Sequence, residues 1–211
     1  MPTSHSHSGP KRIALNGRAP SKRLLRACCR FGIGVTRDTS PVHMPIELEA
    51  LLALGPGSAA LITGASGSGK SRLLKRLRDE VRGPKVCDLS SIYRRGRRSV
   101  IDLIPLPLDQ ALRLLAASGL ADPFVLGRTV CELSVGERSR FLLARALAKQ
   151  RRAGWLLIDE FLTTLDRETA SGVARSFRRA AREFAPELRV VVATAHADLA
   201  PEFGADVWMR L

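Results

Sequence analysis

The chain has 211 residues, which is the length of one ordinary domain or of one domain with a tail. Apolar residues make up 45% and charged residues 26%, and this balance excludes a wholly disordered chain. The four cysteines are too few and too irregularly spaced for a disulfide framework or a CxxC zinc site, so we expect a reduced, cytoplasmic protein. No apolar run approaches the roughly 20 residues of a membrane-spanning helix, so we expect no bilayer-crossing segment in this sequence.

The charge of the chain is strongly positive, with 34 Lys and Arg against 20 Asp and Glu and a net charge of +14. Such an excess attracts polyanions, which include nucleic acids, anionic lipids and nucleotides, without distinguishing among them. The basic residues concentrate near the N-terminus, in the segment Arg94–Arg98, and at helical spacing in a set formed by Arg138, Arg145, Lys149 and Arg152. This last set fits either a sequence-independent nucleic-acid contact or an ordinary solvated helix face.

Composition and hydrophobic periodicity organise the rest of the chain. Residues 1–23 are rich in Ser, His, Pro and basic residues, which predicts a flexible basic tail before a domain at residues 24–211. Short apolar runs predict strands at Phe31–Val35, Ala59–Thr63, Lys85–Leu89, Trp155–Ile158, Leu188–Thr194 and Asp206–Met209. Apolar residues at helical spacing predict helices after Ser71, after Pro107, from Ser134 to Gln150 and from Leu165 to Phe184. Because strands alternate with helices, we expect an α/β fold whose mostly parallel sheet is flanked by helices on both faces.

A phosphate-binding motif lies between the second predicted strand and the helix that follows it. The segment matches G-x-x-x-x-G-K-[ST] at every position, and its residues are Gly64, Ala65, Ser66, Gly67, Ser68, Gly69, Lys70 and Ser71. Glycines let successive backbone N–H groups point at phosphate oxygens, and the helix N-terminus adds partial positive charge. We expect Lys70 to reach the β- and γ-phosphates and the Ser71 hydroxyl to bind Mg²⁺, as in P-loop NTPases. This segment is called the phosphate loop below.

The strand Trp155–Ile158 ends directly in two carboxylates, Asp159 and Glu160. Taken alone, these acids fit an ordinary solvated strand end. Beside a phosphate loop they fit nucleotide chemistry better, because carboxylates at a buried strand end need a cation or hydrogen bonds. We expect Asp159 to hold Mg²⁺ through water and Glu160 to polarise the water that attacks the γ-phosphate.

Three further segments narrow the choice among proteins with a phosphate loop. Leu133–Glu137 has the sequence LSVGE, which resembles the LSGGQ signature of ATP-binding-cassette (ABC) ATPases, although S-x-x-E is also a helix capping box. The two interpretations are compatible, because the family's signature also begins a helix. Phe161–Asp166 follows the acidic pair as the family's D-loop does, and His196 follows a strand where the family has a switch histidine. The resemblance to ABC ATPases covers about residues 51–208.

The resemblance implies ATP and Mg²⁺ as ligands and a head-to-tail homodimer. One subunit's phosphate loop and the other's signature would enclose each ATP. Ser134 and Gly136 would contact the γ-phosphate from the second subunit, His196 would orient the attacking water, and Asp166 would link the two sites.

The sequence also departs from the family pattern. Val135 and Glu137 replace a glycine and the glutamine of the signature. No clear Q-loop glutamine precedes the signature; Asp102 occupies a plausible place and would then belong to the metal site, with Gln110 as a second candidate. Phe31 is the candidate for an aromatic side chain that stacks on the adenine ring. The short stretch before the signature predicts a reduced helical subdomain at about residues 90–150.

The biological output stays open at this point. Asp159–Arg167 resembles a stand-alone ABC-type group that is sometimes fused to an acetyltransferase-like domain, and no such domain is visible in this sequence. The basic balance and the short helical region slightly favour a nucleic-acid-linked ATPase. The alternatives are the ATPase subunit of a membrane transporter and a non-catalytic module that uses ATP only to dimerise.

Overall fold

A computed structural model describes residues 12–15, 20–37, 46–81, 86–88, 98–150 and 154–211. The chain divides into two compact units, Met1–Met44 and Pro45–Leu211, whereas the sequence places a boundary after residue 23. Most of the predicted basic tail, the start of the strand predicted at Lys85, most of the Arg94–Arg98 segment and Arg152 lie outside the described residues.

The first unit contains two short parallel strands and one helix. Strand β1 (Arg12–Leu15) pairs with β2 (Gly34–Arg37), and helix α1 (Lys22–Arg30) lies between them in the chain. The α1 helix begins after Ser21, whose hydroxyl oxygen accepts a hydrogen bond from the Leu24 N–H at 3.2 Å. Strand β2 starts at Gly34, within the predicted strand Phe31–Val35, and extends two residues beyond it.

The second unit is built on a five-stranded sheet in which every pairing is parallel. Its strands, in chain order, are β3 (Ala59–Thr63), β4 (Val86–Asp88), β5 (Gly154–Ile158), β6 (Leu188–Thr194) and β7 (Val207–Arg210). Their spatial order is β4-β5-β6-β3-β7. The predicted parallel sheet is confirmed, and β5, β6 and β3 are consecutive neighbours whose carboxyl ends share one edge.

The helices of this unit follow the predicted order. They are α2 (Ile46–Leu52), α3 (Lys70–Glu80), α4 (Leu108–Ala117), α5 (Pro123–Leu126), α6 (Val135–Lys149), α7 (Arg167–Phe184) and α8 (Ala200–Phe203). The four predicted helices correspond to α3, α4, α6 and α7 and begin within two residues of the expected positions. Within the described part of the chain, none of the helices has the length and apolar character needed to cross a bilayer.

Two hydrophobic clusters cover the two faces of the sheet. Alternate residues of β3 point to opposite faces, so Ala59 and Leu61 join one cluster while Ala60 and Ile62 join the other. The first cluster also contains buried residues of α4, α6 and α7, and the second contains buried residues of α2 and α3. Every residue of β3 is buried, as expected for a central parallel strand with helices on both faces.

An ion pair between the buried Arg178 and the exposed Asp206 ties α7 to the start of β3. The Arg178 side chain is only 7% exposed, and its Nη2 donates to Asp206 Oδ2 at 2.8 Å while its Nη1 donates to the Gly57 carbonyl at 3.2 Å. The same Asp206 oxygen accepts a hydrogen bond from the Ala59 N–H at 2.7 Å. Burial and nearby Arg182 lower the pKa of the Arg178 guanidinium, and Asp206 opposes this effect. The Asp206 carboxylate thus pairs with the buried Arg178 guanidinium and also accepts a hydrogen bond from the first N–H of β3.

Replacing Asp206 with alanine is expected to lower the free energy of unfolding by about 1.5–3 kcal/mol, because it removes hydrogen bonds to a charged group and leaves Arg178 without its carboxylate. The measurement is urea-induced unfolding of both proteins. Asp198→Ala is the matched control, because Asp198 pairs with Arg167 at 2.6 Å on the surface and exposed pairs contribute roughly 1 kcal/mol or less. Equal losses in the two variants would contradict this role for Asp206.

Candidate functional site

The phosphate loop connects β3 to α3 and requires glycine for steric reasons. Gly69, immediately before α3, has a φ of 106°, a left-handed conformation that side chains with a Cβ rarely adopt. A Cβ on Gly64 would lie 2.6 Å from the Leu211 carbonyl oxygen and 2.7 Å from Ser68 Oγ. The loop therefore keeps its curved path only with glycine at these two positions.

Lys70 folds its side chain back over the phosphate loop. Its Nζ donates to the carbonyl oxygens of Gly64 at 2.8 Å and Ala65 at 2.7 Å. These bonds use two of the three donors of the ammonium group and hold its charge above the N-terminus of α3. Lysine charge and helix dipole thus act at the same place, which favours an anion there.

A cleft of about 220 Å³ joins the phosphate loop to the acidic strand end. We call it the phosphate-loop cleft, and its lining residues are Ser66, Gly67, Lys70, Ser71, Asp159, Glu160, Thr163, Thr194 and Ala195. These residues follow β3, β5 and β6, which are neighbours in the sheet. The sequence prediction that the phosphate loop and Asp159–Glu160 form one site thus matches the placement of these residues.

Ser71 and Asp159 also line a smaller adjoining cleft of about 120 Å³, beside Lys75 and Arg78. One hydroxyl and one carboxylate are hard oxygen donors of the kind that Mg²⁺ prefers. Among the described residues, no three His, Cys, Asp or Glu side chains group together as a metal site. A cation at this position would therefore take most of its ligands from water and from a bound phosphate.

The chain bends sharply where β5 ends. Glu160 and Leu162 have φ values of 52° and 56°, which are uncommon for residues other than glycine. The Glu160 N–H donates to Asp159 Oδ1 at 3.0 Å, and the Phe161 N–H donates to the Ala193 carbonyl of β6 at 2.8 Å. Such conformations persist where surrounding contacts over-determine them, and they concentrate at functional sites.

Phe161 supplies much of that surrounding constraint. Its ring is buried, with 1% exposure, and lies 5.9 Å from the Phe177 ring centroid and 5.5 Å from that of Phe203. The Phe177 and Phe203 rings are themselves stacked 6.4 Å apart. This aromatic trio fixes the residue after Glu160 to α7 and α8, so that Glu160 stays at the cleft.

His196 and Asp102 do not line the phosphate-loop cleft. The His196 N–H donates to Thr194 Oγ1 at 3.2 Å, and Ala195 lines the cleft where the sequence suggested the histidine. The exposed Asp102 carboxylate accepts a hydrogen bond from the Ser99 hydroxyl at 2.5 Å.

The two alternative residues named from the sequence both have exposed side chains. Gln110 is an exposed residue of α4, and Phe31 belongs to the first unit, where its side chain is 77% exposed. Conversely, Thr163 and Thr194 line the cleft although the sequence assigned neither of them a role. Their position after β5 and at the end of β6 was the available indication, because ligands of parallel α/β sheets bind at these strand ends.

The signature segment forms the N-terminus of α6, and its capping box is confirmed. Ser134 Oγ accepts from the Glu137 N–H at 3.2 Å, and Glu137 Oε2 accepts from the Ser134 N–H at 2.8 Å. Leu133 is buried at 4%, whereas Ser134 is exposed and Val135 is 55% exposed. The helix start therefore faces outward while the leucine before it anchors the segment.

A second capping box precedes this helix. Thr129 and Glu132 close the 3₁₀ turn Val130–Glu132, with the Thr129 N–H donating to Glu132 Oε2 at 2.6 Å.

The D-loop residue Asp166 is the N-cap of α7, and its carboxylate accepts a hydrogen bond from the Thr169 N–H at 2.9 Å. That N–H lowers the pKa of the Asp166 carboxyl below its ordinary value.

The three described members of the predicted basic face of α6 do not form one exposed surface. Arg138 donates to the carbonyls of Val130, Cys131 and Leu133 at 3.2–3.4 Å, so it closes the turn before the helix. Arg145 is buried at 7%, and Lys149 is exposed. Both interpretations of this set, a solvated face and a phosphate-binding face, are therefore wrong for Arg138 and Arg145. Helical spacing identified a shared side of α6, which packing turns partly inward.

The α6 capping box generates a pH prediction. Hydrogen bonding to the Ser134 N–H lowers the pKa of the Glu137 carboxyl below its ordinary value of 4.5, and Arg128 and Arg140 contribute in the same direction. The stabilisation is therefore fully present above 4.5 and is lost as pH falls through the lowered folded-state pKa. We expect wild type to be more stable than Glu137→Gln near neutral pH, with the difference shrinking below about pH 4.5.

Urea unfolding of both proteins across this pH range measures the effect. Val135→Ala is the control, because it alters the same exposed turn without removing a titratable group. A difference between wild type and Glu137→Gln that stays constant down to strongly acidic pH would contradict the capping role of the carboxylate.

Comparison with known proteins finds that the chain is similar to ATP-binding proteins of transport systems. It is 30% identical over 202 residues to the lipoprotein-releasing system ATP-binding protein LolD of Maricaulis maris, covering 78% of the chain and 86% of LolD. It is 32% identical over 182 residues to the aliphatic sulfonates import ATP-binding protein SsuB of Ralstonia nicotianae, covering 76% of the chain and 58% of SsuB. It is 30% identical over 201 residues to the mycobactin import ATP-binding/permease protein IrtB of Mycolicibacterium smegmatis, covering 79% of the chain and 33% of IrtB. No family model matches the chain.

Solved structures show the same fold. A dimeric ATP-binding cassette in a post-hydrolysis state with ADP and Pi superposes with a TM-score of 0.55 at 20% identity, covering 74% of this chain and 82% of that one. A bacterial Atm1-family ABC exporter with ATP bound also gives 0.55, at 19% identity, over 74% of this chain and 32% of that one. The chain spans only 33% and 58% of the length of IrtB and SsuB, respectively.

Proposed function

The chain belongs to the family of ATP-binding-cassette (ABC) ATPases, and from this we propose that it binds ATP with Mg²⁺ in the phosphate-loop cleft and hydrolyses it. The observation that carries the proposal is the lining of that one cleft. It combines an ammonium group at Lys70, a hydroxyl at Ser71 and two carboxylates at Asp159 and Glu160. A cation for phosphate, ligands for a metal ion and a base for water therefore meet in one place.

In this proposal the phosphate loop binds the triphosphate. Backbone N–H groups of Gly64–Ser71 and the α3 dipole attract the phosphate oxygens. Lys70, now bonded to two loop carbonyls, contacts the β- and γ-phosphates through its remaining donor or by exchanging one of those bonds. Charge-assisted hydrogen bonds of this kind are shorter and stronger than neutral ones.

The residues present fit a magnesium ion. Ser71 and Asp159 line the same two clefts and supply the hydroxyl and the carboxylate that such a site requires. When bound, Mg²⁺ neutralises charge on the phosphate oxygens. Asp102 is not part of this proposal, because its carboxylate is bonded to Ser99 and does not line either cleft.

Glu160 is the proposed general base. Glu160 lines the cleft beside Asp159, and the buried Phe161 ring anchors the turn that follows it. The Glu160 carboxylate would accept a proton from the water that attacks the γ-phosphate. The role of His196 in orienting this water stays a prediction, because Ala195 and not His196 lines the cleft.

The proposed active unit is a pair of chains. The exposed N-terminus of α6, with Ser134 and Gly136, can present its dipole and N–H groups to the γ-phosphate held by a second copy. Asp166 follows the acidic pair in the chain and is the N-cap residue of α7. The exposure of Ser134 supports the proposal, since a signature buried in its own core could not reach a partner.

In this proposal, ATP hydrolysis by the chain drives transport by a membrane partner. LolD, SsuB and IrtB are all named for transport or release systems, and the chain covers most of LolD. The nucleic-acid alternative loses support, because Arg138 and Arg145 are engaged within the fold and do not form a basic face.

Replacing Lys70 with alanine is expected to weaken ATP binding at least tenfold, because the cleft loses the Lys70 ammonium group and the charge-assisted bonds it makes. Binding of ATP to the folded protein, followed by calorimetry, measures this. Lys149→Ala, at the exposed C-terminal end of α6, is the matched control and should bind ATP as wild type does. Undiminished affinity in the Lys70 variant would remove the phosphate loop from the proposal.

Replacing Glu160 with glutamine tests hydrolysis itself. Loss of a general base typically costs about 10²–10⁴-fold in rate, so turnover should nearly stop while ATP stays bound. The bound state should accumulate as a dimer, which sedimentation with ATP and Mg²⁺ detects. Glu187→Gln, an exposed residue before β6, is the control and should turn over normally. Normal turnover in the Glu160 variant would contradict the general-base role of Glu160. Absence of turnover in wild type would instead favour a non-catalytic dimerisation module.

A further inference from the structure

We propose that Thr163 is a positioning residue for Glu160, and that its hydroxyl fixes the backbone turn that aims the Glu160 carboxylate into the phosphate-loop cleft. This inference rests on the proposed ATP hydrolysis and assigns a role that the motifs do not contain. Thr163 acts through Glu160 and not by direct contact with the phosphates.

The backbone of Glu160 needs an external restraint. Its φ of 52° lies in the left-handed region, where a residue with a side chain is strained. Leu162, two residues later, has a φ of 56° and is strained in the same way. The Phe161 ring anchors the middle of this turn in the core. The N–H of the peptide group between Glu160 and Phe161 donates to the Ala193 carbonyl of β6 at 2.8 Å. The carbonyl of the same peptide group, which belongs to Glu160, needs a donor of its own.

Thr163 supplies a second restraint, on the carbonyl side of this peptide group. Its Oγ1 donates to the Glu160 carbonyl oxygen at 3.1 Å, and its N–H donates to the same oxygen at 3.3 Å. The carbonyl of Glu160 is thus held by two donors from one residue. The Glu160 N–H, on its other side, donates to Asp159 Oδ1 at 3.0 Å. Both peptide groups that flank the Glu160 side chain are therefore tied down.

The location of Thr163 explains why this matters for the reaction. Its half-buried side chain lines the same cleft as Glu160 and Lys70. A general base must stay within hydrogen-bond reach of the water it deprotonates, and small displacements of a catalytic group are costly. If the Glu160 carbonyl lost its hydrogen bond to the Thr163 hydroxyl, the turn would relax. The Glu160 carboxylate would then move away from the attacking water, while the phosphate loop would stay in place.

The test measures kcat and KM for ATP in Thr163→Val, which keeps the shape of the side chain and removes the hydroxyl. We expect kcat to fall about threefold to tenfold, the effect of one lost hydrogen bond, with KM within about twofold of wild type. Thr163→Ser keeps the hydroxyl and should restore most of the rate. Ser176→Ala is the control, because it removes another hydroxyl that donates to a backbone carbonyl, Gly172 at 2.8 Å, away from the cleft.

A double variant separates positioning from a general structural role. If Thr163 acts through the Glu160 carboxylate, Thr163→Val should add no further loss in a Glu160→Gln background. Additive losses would overturn the proposal, as would a raised KM with unchanged kcat, which would indicate direct contact with ATP. Thr163→Ala provides a second variant if valine perturbs folding, as judged from urea unfolding.

The outcomes also distinguish this inference from the proposed function. Wild-type turnover that depends on Glu160 but is unchanged in Thr163→Val would refute the positioning role and leave ATP hydrolysis in place. Absence of wild-type turnover would refute both.

Discussion

Parallel pairing of three adjacent strands is the constraint from which the site follows. Thr63 at the end of β3 pairs with Thr194 at the end of β6. Ile158 at the end of β5 pairs with Val192, which is also in β6. Because the strands run in one direction, the phosphate loop, the acidic pair and the β6 end emerge at the same edge. The cleft therefore arises from strand order and register, with the buried side chains of the sheet setting that register.

The strained turn after β5 and the aromatic core behind it form one unit. Left-handed conformations at Glu160 and Leu162 are unfavourable locally, and burial of Phe161 against Phe177 and Phe203 offsets this cost. The ion pair of Arg178 with Asp206 holds the opposite end of the same layer, where β3 begins. Packing outside the phosphate-loop cleft thus constrains the backbone of Glu160.

Short sequence patterns predicted the fold and the cleft well, because the residues that determine each pattern lie close together in the chain. The phosphate loop and the Ser134–Glu137 capping box are short segments whose residues contact one another. The failures are long-range: spacing along α6 could not show that packing buries Arg145 or that Arg138 turns back to preceding carbonyls. The placement of Asp102 beside Ser99, outside the cleft, likewise depends on tertiary structure that no motif encodes. The hydroxyl of Thr163 was missed because its partner is a backbone carbonyl.

The paired capping boxes before and at the start of α6 have a consequence for association. Thr129 with Glu132 and Ser134 with Glu137 satisfy the terminal N–H groups of two successive turns, and Arg138 closes the connection between them. A surface already ordered in the isolated chain loses little conformational entropy when it docks. Recognition by a second copy would then resemble rigid-body docking, with its speed set by diffusion and orientation and not by a prior folding step.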